Sequence, residues 1–115
     1  MSTISTHVLD TAAGRPAAGV GVTLERLDAA GPAPVSLGRG VTDADGRQRD
    51  LLAAGASLAE GTYRLRFDVG AYFARAGREA FYPEVVVCFH VGAREEHYHV
   101  PLLLSPFGYS TYRGS

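Results

Sequence analysis

Short runs of alternating or β-branched residues recur along the chain, each closed by Gly, Pro or Asp, and this spacing is that of an all-β sandwich or barrel. The runs predict strands over Ile4 to Leu9, Gly19 to Leu27, Val35 to Thr42, Gly61 to Phe67, Pro83 to Val91 and His97 to Leu104. A shorter one is expected near Tyr109 to Tyr112. Turn residues separate them at Ala13-Gly14-Arg15-Pro16, Ala30-Gly31-Pro32, Asp43-Ala44-Asp45-Gly46, Gly92-Ala93 and Ser105-Pro106-Phe107-Gly108. One segment changes period. Between Val69 and Ala80, Tyr72, Phe73 and Ala76 fall at helical spacing and Gly77 follows as a C-terminal glycine, so one short helix is expected near residues 69–77.

Alternation assigns faces. In the last long strand Tyr98, Val100, Leu102 and Leu104 form the core side, which turns His97, His99, Pro101 and Leu103 the other way. In the first strand Ile4, Thr6 and Val8 share a face, leaving Ser5, His7 and Leu9 opposite. His7 and His99 therefore both leave the core, on strands that could be neighbours.

Length and composition narrow the chemistry. The 115 residues fit one domain, residues 1–115, and 46% hydrophobic against 20% charged residues is globular composition. The net charge of -1 lacks any basic cluster that would neutralise a row of phosphates, so nucleic acid is not an expected partner. All eleven basic residues are Arg and none is Lys, which excludes Schiff-base and lysine-base catalysis. The single cysteine, Cys88, cannot form an internal disulfide, and its apolar neighbours lead us to expect it buried. There is no apolar run long enough for a membrane span, and Met1 to Val8 lacks the charged and apolar regions of a leader, so a cytoplasmic protein is expected.

Three motifs are weighed on their residues. Asp43, Asp45 and Gly46 match the middle of a calcium loop, but Val41 and Leu52 stand where its first and twelfth ligands belong, so the segment reads as a hairpin turn. Arg47 is then displayed at a strand start. His7, His97 and His99 could supply three imidazoles to zinc, yet no accompanying ligand pattern exists and no metal is expected. A serine-hydrolase elbow is also absent. The segment Tyr109 to Ser115 carries two tyrosines and an arginine, the composition of a tail that docks and presents hydroxyls and a guanidinium.

Taken together, Ser5-Thr6-His7-Val8-Leu9-Asp10, Thr42-Asp43-Ala44-Asp45-Gly46-Arg47, His97-Tyr98-His99-Val100-Pro101-Leu102-Leu103 and the ending Ser105 to Ser115 resemble the 5-hydroxyisourate hydrolases, the enzymatic branch of the transthyretin-related family. The terminal Tyr-Arg-Gly-Ser is the most specific of these. Phe107, where the family commonly has Tyr, and Gln48, where an aliphatic residue is usual, are the departures. The resemblance implies a two-sheet immunoglobulin-like (transthyretin-like) sandwich of seven to eight strands with one short helix. It also implies a homotetramer with sites at the subunit interface. The implied activity is cofactor-free hydrolysis of a C–N bond of 5-hydroxyisourate, giving 2-oxo-4-hydroxy-4-carboxy-5-ureidoimidazoline on the route from urate to allantoin. By motif, His7, Arg47, His99 and Ser115 correspond to the catalytic set, and His7, Arg47 and Tyr112 to substrate contacts. His97 does not carry over as catalytic. The alternatives are a noncatalytic carrier of small aromatic ligands, against which the His/Arg/Tyr set speaks, and an adhesive β-sandwich module, which would usually be extracellular.

Overall fold

The computed structural model describes residues 2–27 and 33–115. In chain order the elements are β1 (Thr3–Asp10), β2 (Arg15–Pro16), β3 (Gly21–Arg26), β4 (Val35–Val41), β5 (Arg47–Gln48), β6 (Gly61–Asp68), α1 (Val69–Arg75), β7 (Val85–Val91), β8 (His97–Ser105) and β9 (Gly108–Thr111). The seven longer strands coincide with the expected ones; β2 is a two-residue pairing inside a segment read as a turn, and β5 is the strand start expected at Arg47, two residues long. The turn expected at Ala30-Gly31-Pro32 lies outside the described residues.

Two sheets face each other. One runs β4-β3-β6-β7; the other runs β2-β1-β8-β9, with β5 pairing β1 beside β2. Each contributes its inner row to a shared core, Val22, Leu24, Tyr63, Leu65 and Phe67 from the first against Ile4, Val8, Val100, Leu102 and Leu104 from the second. Burial alternates along β6 without a break, so its outer residues Thr62, Arg64 and Arg66 are half-buried on the opposite face. The helix follows β6 directly. Asp68 caps it by accepting from the Ala71 N–H, and it seats Val69 and Phe73 on the core. Gly77, in the left-handed region at φ 66°, ends it as the sequence predicts.

An ion pair ties this helical corner to β1. Asp10, buried at the end of β1, accepts from Arg78 at 2.7 Å, from the Tyr72 hydroxyl at 2.7 Å and from the Ala13 N–H at 2.9 Å. Burial alone would raise its pKa; the hydrogen bonds from Arg78, Ala13 and Tyr72 outweigh it and hold the carboxyl at about 2.

Two expectations are corrected. Cys88 is exposed. Its apolar run forms β7, the end strand of its sheet, where only Val85 and Val91 are fully buried and Val86, Cys88 and His90 face outward; an unbroken apolar run did not mean two covered faces. Pro101, placed by alternation on the outer side, is buried because the chain's tail lies over it.

Candidate active site

β1 and β8 pair in parallel, which sets Thr3 beside His97, Ser5 beside His99 and His7 beside Pro101. On the other side of β1, the antiparallel β5 sets Arg47 beside His7. The turn before β5 makes this possible. Asp43 accepts from the N–H groups of Asp45 at 2.9 Å and Arg47 at 3.0 Å, closing a turn that is not the expected hairpin, because β4 before it and β5 after it belong to different sheets. Gly46 takes φ 76°, and a Cβ there would lie 2.3 Å from the Val8 carbonyl oxygen. The turn can press against β1 only because residue 46 has no side chain.

His7, Arg47 and His99 thus occupy one outer patch of the five-stranded sheet, all three half-buried. The His7 Nε2 lies 2.8 Å from the Asp45 carbonyl oxygen. A carbonyl only accepts, so Nε2 carries the proton and Nδ1 of neutral His7 keeps its lone pair. Arg47 makes no ion pair or side-chain hydrogen bond among the described residues, which leaves its fork of donors for a ligand. The His99 Nδ1 is 2.8 Å from the Ser5 hydroxyl, so Nε2 is its open nitrogen. Burial, and after it the positive charges of Arg47, His7 and His97, hold the His99 imidazole below the ordinary histidine range.

The tail completes one wall. After β9 the chain stays in step with β8, and Gly114 donates to the His99 carbonyl at 2.8 Å. A Cβ on Gly114 would meet the His99 Cδ2 at 2.7 Å, so the backbone lies directly on the imidazole. Arg113 turns away, with its guanidinium 4.5 Å from the centre of the Tyr98 ring and 3.4 Å from Glu96. Tyr112 and Ser115 are exposed and neither bonds to His7, Arg47 or His99; Tyr112 lines a recess with Phe89, Tyr98 and Val100, on the face of β8 opposite His99.

Sequence reasoning missed Ser5 and Thr3. Ser5 bridges His99 and His97, 2.8 Å from Nδ1 of the first and 2.8 Å from Nε2 of the second, and Thr3 sits 2.6 Å from the His97 Nδ1. Alternation had placed Ser5 on the face of His7, but only the parallel register reveals its partners. Both ring nitrogens of His97 are thereby engaged. Among the described residues no group of three His, Cys, Asp or Glu side chains is arranged to hold a metal ion.

Comparison with known proteins agrees with this architecture. A 5-hydroxyisourate hydrolase of Caulobacter vibrioides is 50% identical, the match covering all of both chains. The solved structure of Klebsiella pneumoniae 5-hydroxyisourate hydrolase superposes with a TM-score of 0.87 at 45% identity, again over all of both chains. Sea bream transthyretin, solved in complex with thyroxine, gives a TM-score of 0.89 at 31% identity over 97% of this chain and 94% of its own. The model of the HIUase/Transthyretin family matches residues 4–114, and with relatives aligned end to end the chain belongs to that family.

Proposed function

We infer that this chain is a 5-hydroxyisourate hydrolase, an enzyme that opens the ring of its substrate by hydrolysing a C–N bond. The observation that carries this reading is the convergence of His7, His99 and an uncommitted Arg47 on one sheet face, in a chain half identical to an enzyme of that name. The carrier alternative draws on the likeness to sea bream transthyretin, at lower identity. A patch of two imidazoles and a free guanidinium suits a polar, carbonyl-rich ring better than an apolar ligand.

His99 is the general base. It is held neutral near pH 7, and its Nε2 takes a proton from water as the oxygen attacks a ring carbonyl carbon. The charge that develops on the carbonyl oxygen is offset by the Arg47 fork. As the C–N bond breaks, the proton on Nε2 passes to the departing nitrogen. His7 offers its Nδ1 lone pair to an N–H of the substrate and fixes the ring's orientation. Because Tyr112 lies beside Tyr98 and Val100 on the other face of its own sheet, it contacts the substrate of a neighbouring subunit's site, and Ser115 hydrogen-bonds the attacking water. No cofactor enters this scheme, and residues 1–115 act as one domain.

The same reading makes the active form a homotetramer with sites at subunit interfaces. It is supported by the unpaired edges of β7 and β9, which end the two sheets on the same side of the sandwich around a recess lined by Val87, Phe89, Tyr98 and Val100. Light scattering on the eluting protein tests it. We place the protein in the cytoplasm; no helix among the described residues is long and apolar enough to cross a membrane. The activity itself is tested by adding purified protein to freshly generated 5-hydroxyisourate and following its ultraviolet absorbance. Decay well above the spontaneous rate is expected, and decay at the spontaneous rate refutes the assignment.

A further inference from the structure

The hydroxyl of Ser5 stands between two imidazoles, and its single proton forces a choice. It donates to one ring and accepts from the other, so the hydrogen bonds along Thr3, His97, Ser5 and His99 run in one direction or the reverse. With the chain running outward, His99 Nδ1–H donates to Ser5, Ser5 donates to His97 Nε2, His97 Nδ1–H donates to Thr3, and His99 Nε2 is a free base. With the chain running inward, each bond is reversed and His99 Nε2 carries a proton.

We propose that Ser5 and His97 are positioning residues that form a proton relay, converting His99 from base to acid while moving the positive charge out of the site. This rests on the reading of His99 as the general base. Water loses one proton to His99 Nε2 as its oxygen bonds to the carbonyl carbon. The proton on His99 Nδ1 moves to Ser5 Oγ, and the Ser5 hydroxyl proton moves to His97 Nε2. His99 is then neutral with its proton on Nε2, Ser5 is again a hydroxyl, and His97 is the imidazolium. When the C–N bond breaks, His99 Nε2 gives its proton to the departing nitrogen, the two relay protons return, and His97 is neutral once more.

Electrostatics drives the outward transfer. An imidazolium at His99 would sit half-buried among Arg47 on β5, His7 on β1 and His97 on its own strand. His97 is exposed, so the same charge there is solvated. Ser5 itself is 8% exposed, which shields the bridging hydroxyl from competing water.

Two variants and two readouts decide the matter. Ser5→Ala is expected to lower kcat by about 10–100-fold, the scale of a weakened acid–base step, with KM within about twofold; Ser5→Thr restores part of that loss. In His97→Gln, at an exposed position where folding is not at stake, kcat falls and the acid limb of the pH profile moves to lower pH. His99 alone then titrates, below the ordinary range. The second readout needs no substrate. In ¹⁵N-histidine-labelled protein, His97 and His99 should titrate as a coupled pair in the wild type and independently in Ser5→Ala. Unchanged kcat and an unmoved acid limb in His97→Gln overturn the relay, as does independent titration of the two rings in the wild type. Failure of the hydrolase reading would appear instead as an inactive wild-type protein, which leaves the titration able to judge the relay by itself.

Discussion

His7 and Arg47 are cross-strand partners, brought together by the two-residue strand β5 and locked by the hydrogen bond from the His7 ring to the Asp45 carbonyl. Neither side chain belongs to the core. His7→Ala and Arg47→Ala should therefore leave the circular dichroism spectrum unchanged while lowering kcat/KM by about 10²–10⁴-fold. Arg47→Lys should fail almost as badly, because an ammonium cannot reproduce the planar fork. Near-normal turnover in any of the three removes that residue from the mechanism.

Gly114 has no side chain to catalyse anything, yet it is expected to be as sensitive as the histidines. In Gly114→Ala the new methyl would have to displace either the His99 ring or the tail. Activity should fall at least tenfold, a cost of about 1.4 kcal/mol in the barrier, with little change in the urea midpoint. A kcat equal to wild type would show that the contact between tail and imidazole is dispensable.

Metal removal should have no effect. Both ring nitrogens of His97 are engaged by Ser5 and Thr3, so only His7 Nδ1 and His99 Nε2 stay open, short of the three protein ligands that a catalytic zinc takes. Exhaustive dialysis against a strong chelator is expected to leave turnover intact; loss of activity restored by zinc alone would replace the imidazole mechanism.

Deleting Tyr112 to Ser115 removes the wall over His99 but leaves Val100, Leu102 and Leu104 in the core. The truncated protein should fold and be inactive. If sites are shared between subunits, mixing it with an inactive His99→Ala protein and reassembling the two should recover activity, since some sites then join His99 and a tail from different chains. Mixed tetramers that form and stay inactive would place each site within one subunit.

Acid stability should depend on Asp10. Its carboxyl is held at about 2 in the folded chain against an ordinary 3.8, so its contribution is present above pH 3.8 and is lost as pH falls toward 2. That shift is worth about 2 kcal/mol. Urea unfolding at pH 5 and pH 2.5 should show the loss in the wild type and a smaller one in Asp10→Asn.

How much of this the sequence displayed depends on the range of the interaction. Strand positions, the helix and its glycine stop, and the outward turn of His7 and His99 all follow from local period, which is why they were legible. Cys88 was misread because period says nothing about whether a second face is covered. Ser5 escaped notice because its importance lies in register with a strand on the far side of the sequence, and Gly114 because its role is to be small against a ring it meets only in the folded chain.

The parallel pairing of β1 with β8 has a consequence in time. Ser5 and His99 are separated by 94 positions, and no local hairpin brings them together. At about 5–20 residues per second on the ribosome, β1 waits on the order of 5–20 s for its partner to be synthesised. During that interval the edge of β1 that β8 will pair keeps its backbone N–H and C=O groups without strand partners, which makes the nascent amino-terminal segment a natural client for chaperones. Once β8 arrives, sheet closure and assembly of the site are one event. A partly folded chain would carry no partial activity, and regain of turnover after dilution from urea would time the last step of folding.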